Sequence, residues 1–332
     1  MARGNARAVI GAQQGHVRSP RRAPWALLAS LAAGACLLAF VPAPGAAVLG
    51  DAGGDFGFVA DVERKRRRAA SVTAGPRAAR PSPKMRFAVI GDLGTGRDKQ
   101  AQVADKMCAW RQTHPFQHVV TTGDNIYPDG SPDHFERKFY KPYACLLQNG
   151  VQFHASLGNH DVHTDNGWPQ LQDPAFGMEG RNYVFRKNGV RFVIADSNNL
   201  KLGWLKKAAR RRPGVRWTIV VFHHPVYSPG IEHGSTPGYR PGLPRLFRKR
   251  GVDLVFNGHD HLYAVTKPLK GLRYVVTGGG GDKLYGCGKA WFNARCAERY
   301  HFMHVVAGKR VISVRAVAPG GVFHRFTTAG LP

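Results

Sequence analysis

The chain has 332 residues, 43% hydrophobic and 21% charged, with a formal net charge of +27. That length and balance suit one sizeable globular core in one or two domains. The positive excess could draw in phosphorylated substrates or hold the protein on anionic surfaces. With no zinc finger, RNA-binding aromatic motif or basic heptad beside it, and with basic residues spread along the chain, no specific nucleic-acid partner is expected.

Residues 1–24 carry Arg3, Arg7, Arg18, Arg21 and Arg22 and no acid, and an uninterrupted apolar stretch, Trp25 to Val41, follows. Ala43-Pro44-Gly45-Ala46-Ala47 comes next. Basic flank, apolar segment and small residues are the three parts of an export signal, so residues 1–47 are read as a signal peptide and the protein as exported. The stretch is near the lower length limit of a spanning helix, so a membrane anchor through residues 25–41 competes. An acid-free, Arg-rich leader also suits delivery to an organelle lumen. Residues 48–84 mix Gly, Ala and Pro with the basic run Arg64-Lys65-Arg66-Arg67-Arg68. Too few large apolar residues are present to offset the entropy of ordering, which points to a flexible basic linker or pro-segment.

A single catalytic domain is expected over residues 85–330. Met85–Ile90 is an apolar run ending in Gly91-Asp92, and Gln100–Trp110 reads as a helix. Phe116–Thr122 is a buried strand ending at Gly123-Asp124, Pro132–Leu147 is helical with irregular ends, and Val151–Leu157 stops at Gly158-Asn159-His160. Tyr183–Arg186 and Val190–Asp196 form a hairpin around Asn188-Gly189, a strong turn signal. Leu202–Arg211 is a short basic helix, Trp217–Phe222 a strand ending at His223, Leu243–Arg250 a helix, and Val252–Asn257 a strand ending at Gly258-His259. The short runs after it (Tyr263–Lys267, Arg273–Thr277, His301–Val306, Arg310–Val317, Val322–Phe326) read as mostly antiparallel strands. The fold class is therefore α/β, two packed mixed sheets flanked by helices. Cys36 lies in the apolar segment; Cys108, Cys145, Cys287 and Cys296 remain, and three disulfide connectivities are open. The local pairs Cys108–Cys145 and Cys287–Cys296 need the least rearrangement, and buried free thiols are equally compatible with the sequence.

Seven potential metal ligands follow these strands in order: Asp92, Asp124, Tyr127, Asn159, His223, His259 and His261. In open α/β sheets, ligands bind beyond the carboxyl ends of strands, where loops diverge. A carboxylate able to bridge, a phenolate, an amide oxygen and three imidazoles suit two hard or borderline cations side by side. Gly precedes Asp92, Asp124, Asn159 and His259, where it lets the backbone turn sharply and come close to an ion. His259 and His261, two apart in an extended segment, would face the same way, whereas His224 would point away from its neighbour His223. His154, Asp161 and His163 are candidates for orienting the ligands. Two similar-looking motifs fail: Gly91-Asp92-Leu93-Gly94-Thr95-Gly96 has the wrong glycine spacing for a dinucleotide site, and Gly278–Gly281 lacks the ending of a P-loop.

The set GDxG, GDxxY, GNH, VxxH and GHxH, with His-x-Pro-Val-Tyr-Ser around His223 and Glu232-His233-Gly234 beyond, resembles the purple acid phosphatases of the calcineurin-like metallophosphoesterase superfamily. The short, tartrate-resistant type looks nearest, and the resemblance runs from Met85 to Phe326. It implies Asp92, Asp124, Tyr127 and His261 around Fe(III), and Asp124, Asn159, His223 and His259 around a second ion, Fe(II), Zn(II) or Mn(II), with Asp124 bridging. It also implies that His160 and His233 contact the phosphate and protonate the leaving group. The expected activity is hydrolysis of phosphate monoesters by a metal-activated hydroxide. The substrates would be small phosphorylated compounds, phosphoproteins and nucleotides among them, with non-specific attachment to anionic surfaces besides. Two alternatives stand: a phosphodiesterase or nucleotidase on the same scaffold, and a basic polyanion-binding protein without catalysis.

Overall fold

A computed structural model describes residues 84–330. The expected leader, and the linker up to residue 83, lie outside them. Among the described residues no helix is long and apolar enough to cross a membrane.

In β1 (Met85–Ile90) the alternation is used on both faces. Phe87 and Val89 point into one apolar cluster, Ala88 and Ile90 into another. Helix α1 (Asp98–Thr113) buries Gln100, Val103, Ala104 and Met107, the three- and four-residue spacing of one helical face, against the second cluster. Strand β2 (His118–Thr121), a short helix α2 (Ala144–Leu147), β3 (Gln152–His154) and helix α3 (Trp168–Gln172) follow. The hairpin of β4 (Tyr183–Lys187) and β5 (Val190–Ile194) turns at Asn188-Gly189, both with positive φ, as that dipeptide predicts. Next come α4 (Leu202–Ala208), β6 (Trp217–Val221), α5 (Tyr239–Arg250) and β7 (Leu254–Asn257). The remaining strands are β8 (Tyr263–Thr266), β9 (Arg273–Thr277), β10 (Asn293–Ala297), β11 (Phe302–Ala307), β12 (Val311–Ala318) and β13 (Gly321–Ala329).

These strands make two mixed sheets, ordered β13-β12-β11-β1-β2-β3 and β10-β8-β9-β7-β6-β5-β4. Their facing sides share one core, in which Phe87, Val89, Val305 and Val314 of the first sheet meet Phe192, Ile219, Val221 and Phe256 of the second. Helix α1 covers the outer face of the first sheet; α4 and α5, through Leu205, Leu243 and Phe247, cover that of the second. Strands β1, β2 and β3 are parallel, as are β5, β6, β7 and β9, so the loops that follow them leave together.

Three expectations change. The tail is not a simple meander, because β9 inserts between β7 and β8 and runs parallel to β7. Pro132–Leu147 breaks into a 3-10 turn, a π turn and α2. Helix α5 begins four residues earlier than Leu243 and takes Pro241 into its first turn, where a missing N–H breaks no bond. Strand β10 was not foreseen, since Asn-Ala-Arg-Cys-Ala has no apolar alternation; it pairs with β8 at a sheet edge. Both local disulfides are formed: Cys108–Cys145 joins α1 to α2, and Cys287–Cys296 ties β10 to the preceding loop.

Phe192 sits at the centre of the sandwich, 0% exposed, 4.9 Å edge-on from Phe87 and 4.5 Å stacked on Phe185. Phe192→Ala should therefore lower the unfolding free energy by about 3–5 kcal/mol in a denaturant titration.

Candidate metal centre

The backbone delivers the candidate ligands in strained turns. Asp92, Asp124 and His259 have φ of 57°, 52° and 71°, a left-handed conformation that costs of order 1–3 kcal/mol per non-glycine residue. The expectation that the preceding glycine makes each turn holds only for Gly123, at φ 98°. The other glycines serve close approach. A Cβ on Gly158 would overlap Asp124 Oδ1 and the Asp124 backbone, and one on Gly258 would lie 2.5 Å from Asp92 Oδ2. The loops touch through the ligands themselves: His259 N–H donates to both oxygens of Asp92 (3.0 and 3.1 Å), and His160 N–H to Asp124 Oδ1 (3.0 Å).

The seven side chains fall into two groups that share Asp124. In the first, Tyr127 Oη lies 3.0 Å from both Asp124 Oδ2 and His261 Nε2, and His261 Nε2 lies 3.4 Å from Asp92 Oδ1. Asp92, Asp124 and His261 each offer a donor atom within 4.8 Å of the other two. In the second, His223 Nε2 lies 3.0 Å from Asn159 Oδ1, 3.2 Å from His259 Nδ1 and 3.5 Å from Asp124 Oδ2. Tautomers are set from outside. His223 Nδ1–H donates to the Thr122 carbonyl (2.9 Å), and His261 Nδ1–H to that of Lys283 (2.8 Å). Each carbonyl accepts only, so in each ring Nε2 is the nitrogen turned inward, placed where a metal could be held. His223 Nε2 then faces the Asn159 carbonyl oxygen, acceptor against acceptor, which a cation between them would reconcile. The donor set fits two metal ions.

At the second group the electrostatics agree. Burial holds the His223 imidazole well below its usual range, and burial plus His223, His224 and His233 pushes His259 down to about 2, so both rings stay neutral, the form a metal requires. Burial raises the Asp92 carboxyl to about 7 against the pull of His261. His261 itself, despite burial, is raised to about 9 by the Asp92 carboxylate and the Lys283 carbonyl. Burial first, then Asp124, Asp92 and Asp282, drive the Tyr127 phenol well above its normal value, so a phenolate there needs a cation within reach.

His160 and His233 stand at the edge of this cluster. His160, partly exposed, donates from Nδ1 to the Pro128 carbonyl and packs 4.6 Å from the Tyr127 ring. His233, exposed, stacks on His259 at 4.2 Å. Of the candidates for orienting ligands, Asp161 is fully buried and accepts from the backbone N–H of Asn125, Ile126 and Gly158 and from the Asn125 and Gln170 amides, which ties the Asp124 loop to the Asn159 loop. His154 instead pairs with His118 and stacks on Phe185, and His163 is exposed, its ring 5.5 Å from that of His160.

Residues 85–263 match the sequence profile of the calcineurin-like phosphoesterases. The chain belongs to this family. The phosphoesterase is similar to Purple acid phosphatase 17 of Arabidopsis thaliana, 29% identical over 241 residues, covering 60% of this chain and 69% of the relative. It is also similar to Purple acid phosphatase 4 of the same plant, 27% identical over 262 residues, covering 68% and 76%. The Fe(3+)-Zn(2+) purple acid phosphatase 12 matches at 25% over 222 residues, 58% of this chain and 46% of that one. Among solved structures the fold is shared with GAP50, the anchor in the inner membrane complex of Plasmodium (TM-score 0.63, 18% identity, 75% of this chain and 90% of that chain). A dimetal phosphatase from Danio rerio also shares it (TM-score 0.53, 13% identity, 75% and 99%).

Four residues of the phosphoesterase site carried no motif signal. Asn125 is fully buried and bridges Thr121, Ser156, Asp161 and Gln170. Asp260, also fully buried, accepts the His233 N–H at 3.2 Å and so ties the His233 loop to the ligand segment. Tyr285 stacks on His261 at 4.1 Å, and His224 lies beside His259. Asp260 could have been suspected from its place between two candidate ligands, and His224 was considered beside His223 but read as pointing away from it.

Because a Cβ at Gly158 meets backbone, the loops cannot yield cheaply. Gly158→Ala should destabilise the metal-free protein by about 1–3 kcal/mol. Gly203→Ala, in α4 with nothing within 4 Å of the new methyl, should stabilise it by about 0.5–1 kcal/mol. Chemical denaturation of both variants checks the pair.

Proposed function

We propose that this phosphoesterase is an acid phosphatase acting on phosphate monoesters. The observation that carries the reading is the buried Tyr127 hydroxyl wedged between Asp124 and His261, a phenol placed among carboxylates where only a strongly charged cation favours its ionised form. Asp92, Asp124, Tyr127 and His261 would hold Fe(III); Asp124, Asn159, His223 and His259 would hold Fe(II), Zn(II) or Mn(II). The ferric-zinc relative and the mixture of hard oxygen and borderline nitrogen donors support that division. Bound there, the two ions would polarise the ester and lower the pKa of a water held beside them.

The chain's own residues do the rest. Asp124, shared by both donor groups, fixes the spacing of the two sites, and Asp161 and Asn125 keep its loop against that of Asn159. His160 is oriented by the Pro128 carbonyl at Nδ1, so that its imidazolium form would present Nε2–H to a phosphoryl oxygen or the departing alkoxide. His233, braced by Asp260 and stacked on His259, would share that work. The family relatives and this donor set support a preference for monoesters. The leader-like residues 1–47 and the two disulfides support an exported protein, and the charge of +27 supports loose attachment to anionic surfaces.

The purified protein should hydrolyse an aryl phosphate monoester with a kcat/KM at least about a hundredfold above that for the matching diester, a gap of roughly 2.7 kcal/mol in transition-state binding. A reversed preference would favour the phosphodiesterase alternative. His160→Ala should retain metal and lower kcat by about a hundredfold; loss of metal from this variant would contradict the role given to His160.

A further inference from the structure

His224 directly follows His223, and adjacent side chains of an extended segment point apart. Strand β6 ends at Val221, however, and the chain is irregular at both histidines. The His224 ring lies 5.1 Å from that of His223, at 83°, and 4.6 Å from that of His259, at 52°. It is thus a third ring, with His223 and His233, set against His259.

Its orientation is imposed. Ser197 Oγ accepts the His224 backbone N–H at 3.0 Å and lies 2.8 Å from His224 Nδ1. Among the described residues this largely buried hydroxyl has no acceptor for its own proton other than Nδ1, and with that proton on the Ser197–Nδ1 bond a neutral ring carries its own on Nε2. Among the described residues no hydrogen bond engages Nε2, and His224 is only partly buried. Ser197 is held in turn. Tyr239 Oη donates to its carbonyl (3.2 Å), Arg181 Nε clamps the preceding Asp196 (2.8 Å), and the following Asn198 donates from Nδ2 to the Gly158 carbonyl (3.1 Å). The loop that aims His224 is therefore tied to the turn that carries Asn159.

We propose that His224 contacts the substrate, donating a hydrogen bond from Nε2–H to a non-bridging oxygen of the phosphate ester, and that Ser197 is its positioning residue. The two rings beside it, those of His223 and His259, turn Nε2 and Nδ1 toward each other and, from His223, toward Asn159 Oδ1, at the metal positions. A fixed N–H donor beside them lacks a protein acceptor, and a phosphoryl group supplies one. A donor set in advance by a rigid neighbour loses little entropy on use, which is where such a bond contributes most. The proposal rests on the phosphoesterase reading above.

The test is calorimetric titration of the full chain, purified with its metals, against inorganic phosphate, with metal content measured on the same samples. His224→Ala should weaken phosphate binding about tenfold, near the value of one hydrogen bond to a charged group. Ser197→Ala should weaken it about threefold, His224→Gln should restore part of the loss, and all three should keep the wild-type metal content. Unchanged phosphate affinity with metals in place overturns the proposal and leaves the phosphoesterase reading standing. Metal lost together with phosphate from His224→Ala also overturns it, by making His224 a support of the metal centre. A wild-type protein that holds its metals yet binds no phosphate overturns both readings. Should His224→Ala fail to fold, Ser197→Ala decides: unchanged phosphate affinity there overturns the proposal.

Discussion

The crowding of electron-rich, largely buried side chains into one place is the constraint on which the rest depends. Two carboxylates, a phenol, an amide oxygen and three imidazoles stand close together, and Asp92, Asp124 and His223 are at most 1% exposed. Left alone, such a set is costly to bury, as the Asp92 carboxyl pushed up to about 7 and the His259 ring pushed down to about 2 by desolvation show. It persists because the backbone holds it. Three of its members sit in left-handed turns, and Gly158 and Gly258 leave no room for a methyl group between the loops. Strain of this kind is retained where the surrounding structure over-determines it, and a pair of cations would turn the same crowding from a cost into attraction.

Two features of the scaffold make that possible. The parallel strands β1, β2 and β3 of one sheet, and β6 and β7 of the other, release their loops at a common end, so residues as distant as Asp92 and His259 become hydrogen-bonded neighbours. Behind the ligands lies a layer of buried polar groups that fixes angles rather than positions. Asp161 gathers five donors from three segments, the Thr122 and Lys283 carbonyls select imidazole tautomers, and Asp260 anchors the His233 loop. The proposed role of His224 extends the same logic to a side chain that holds no metal.

Much of this was legible in the sequence. Apolar runs ending in Gly-Asp, Gly-Asn-His and Gly-His-x-His mark both the strands and the loops after them, because a buried strand must be apolar and a coordinating loop must be close-packed and polar. The two-sheet sandwich followed from the order of those runs. The glycine argument was only half right: proximity, rather than a positive φ, explains Gly91, Gly158 and Gly258, and sequence does not separate the two. The insertion of β9 between β7 and β8 is set by long-range register, and β10 by pairing at an edge, so neither leaves a periodic trace. Asn125 and Tyr285 were silent for a similar reason. Their significance lies in partners from other segments, and residue type alone does not name a partner. His224 was set aside on a strand alternation that the irregular chain after β6 does not keep.

The central claim is that two donor groups share Asp124 and so hold two cations as one unit. Metal analysis of the purified protein and of its Asp124→Ala variant tests this most directly. The account predicts two ions per chain in the first and neither in the folded variant. A folded Asp124→Ala protein that keeps one or both ions at full occupancy would contradict it.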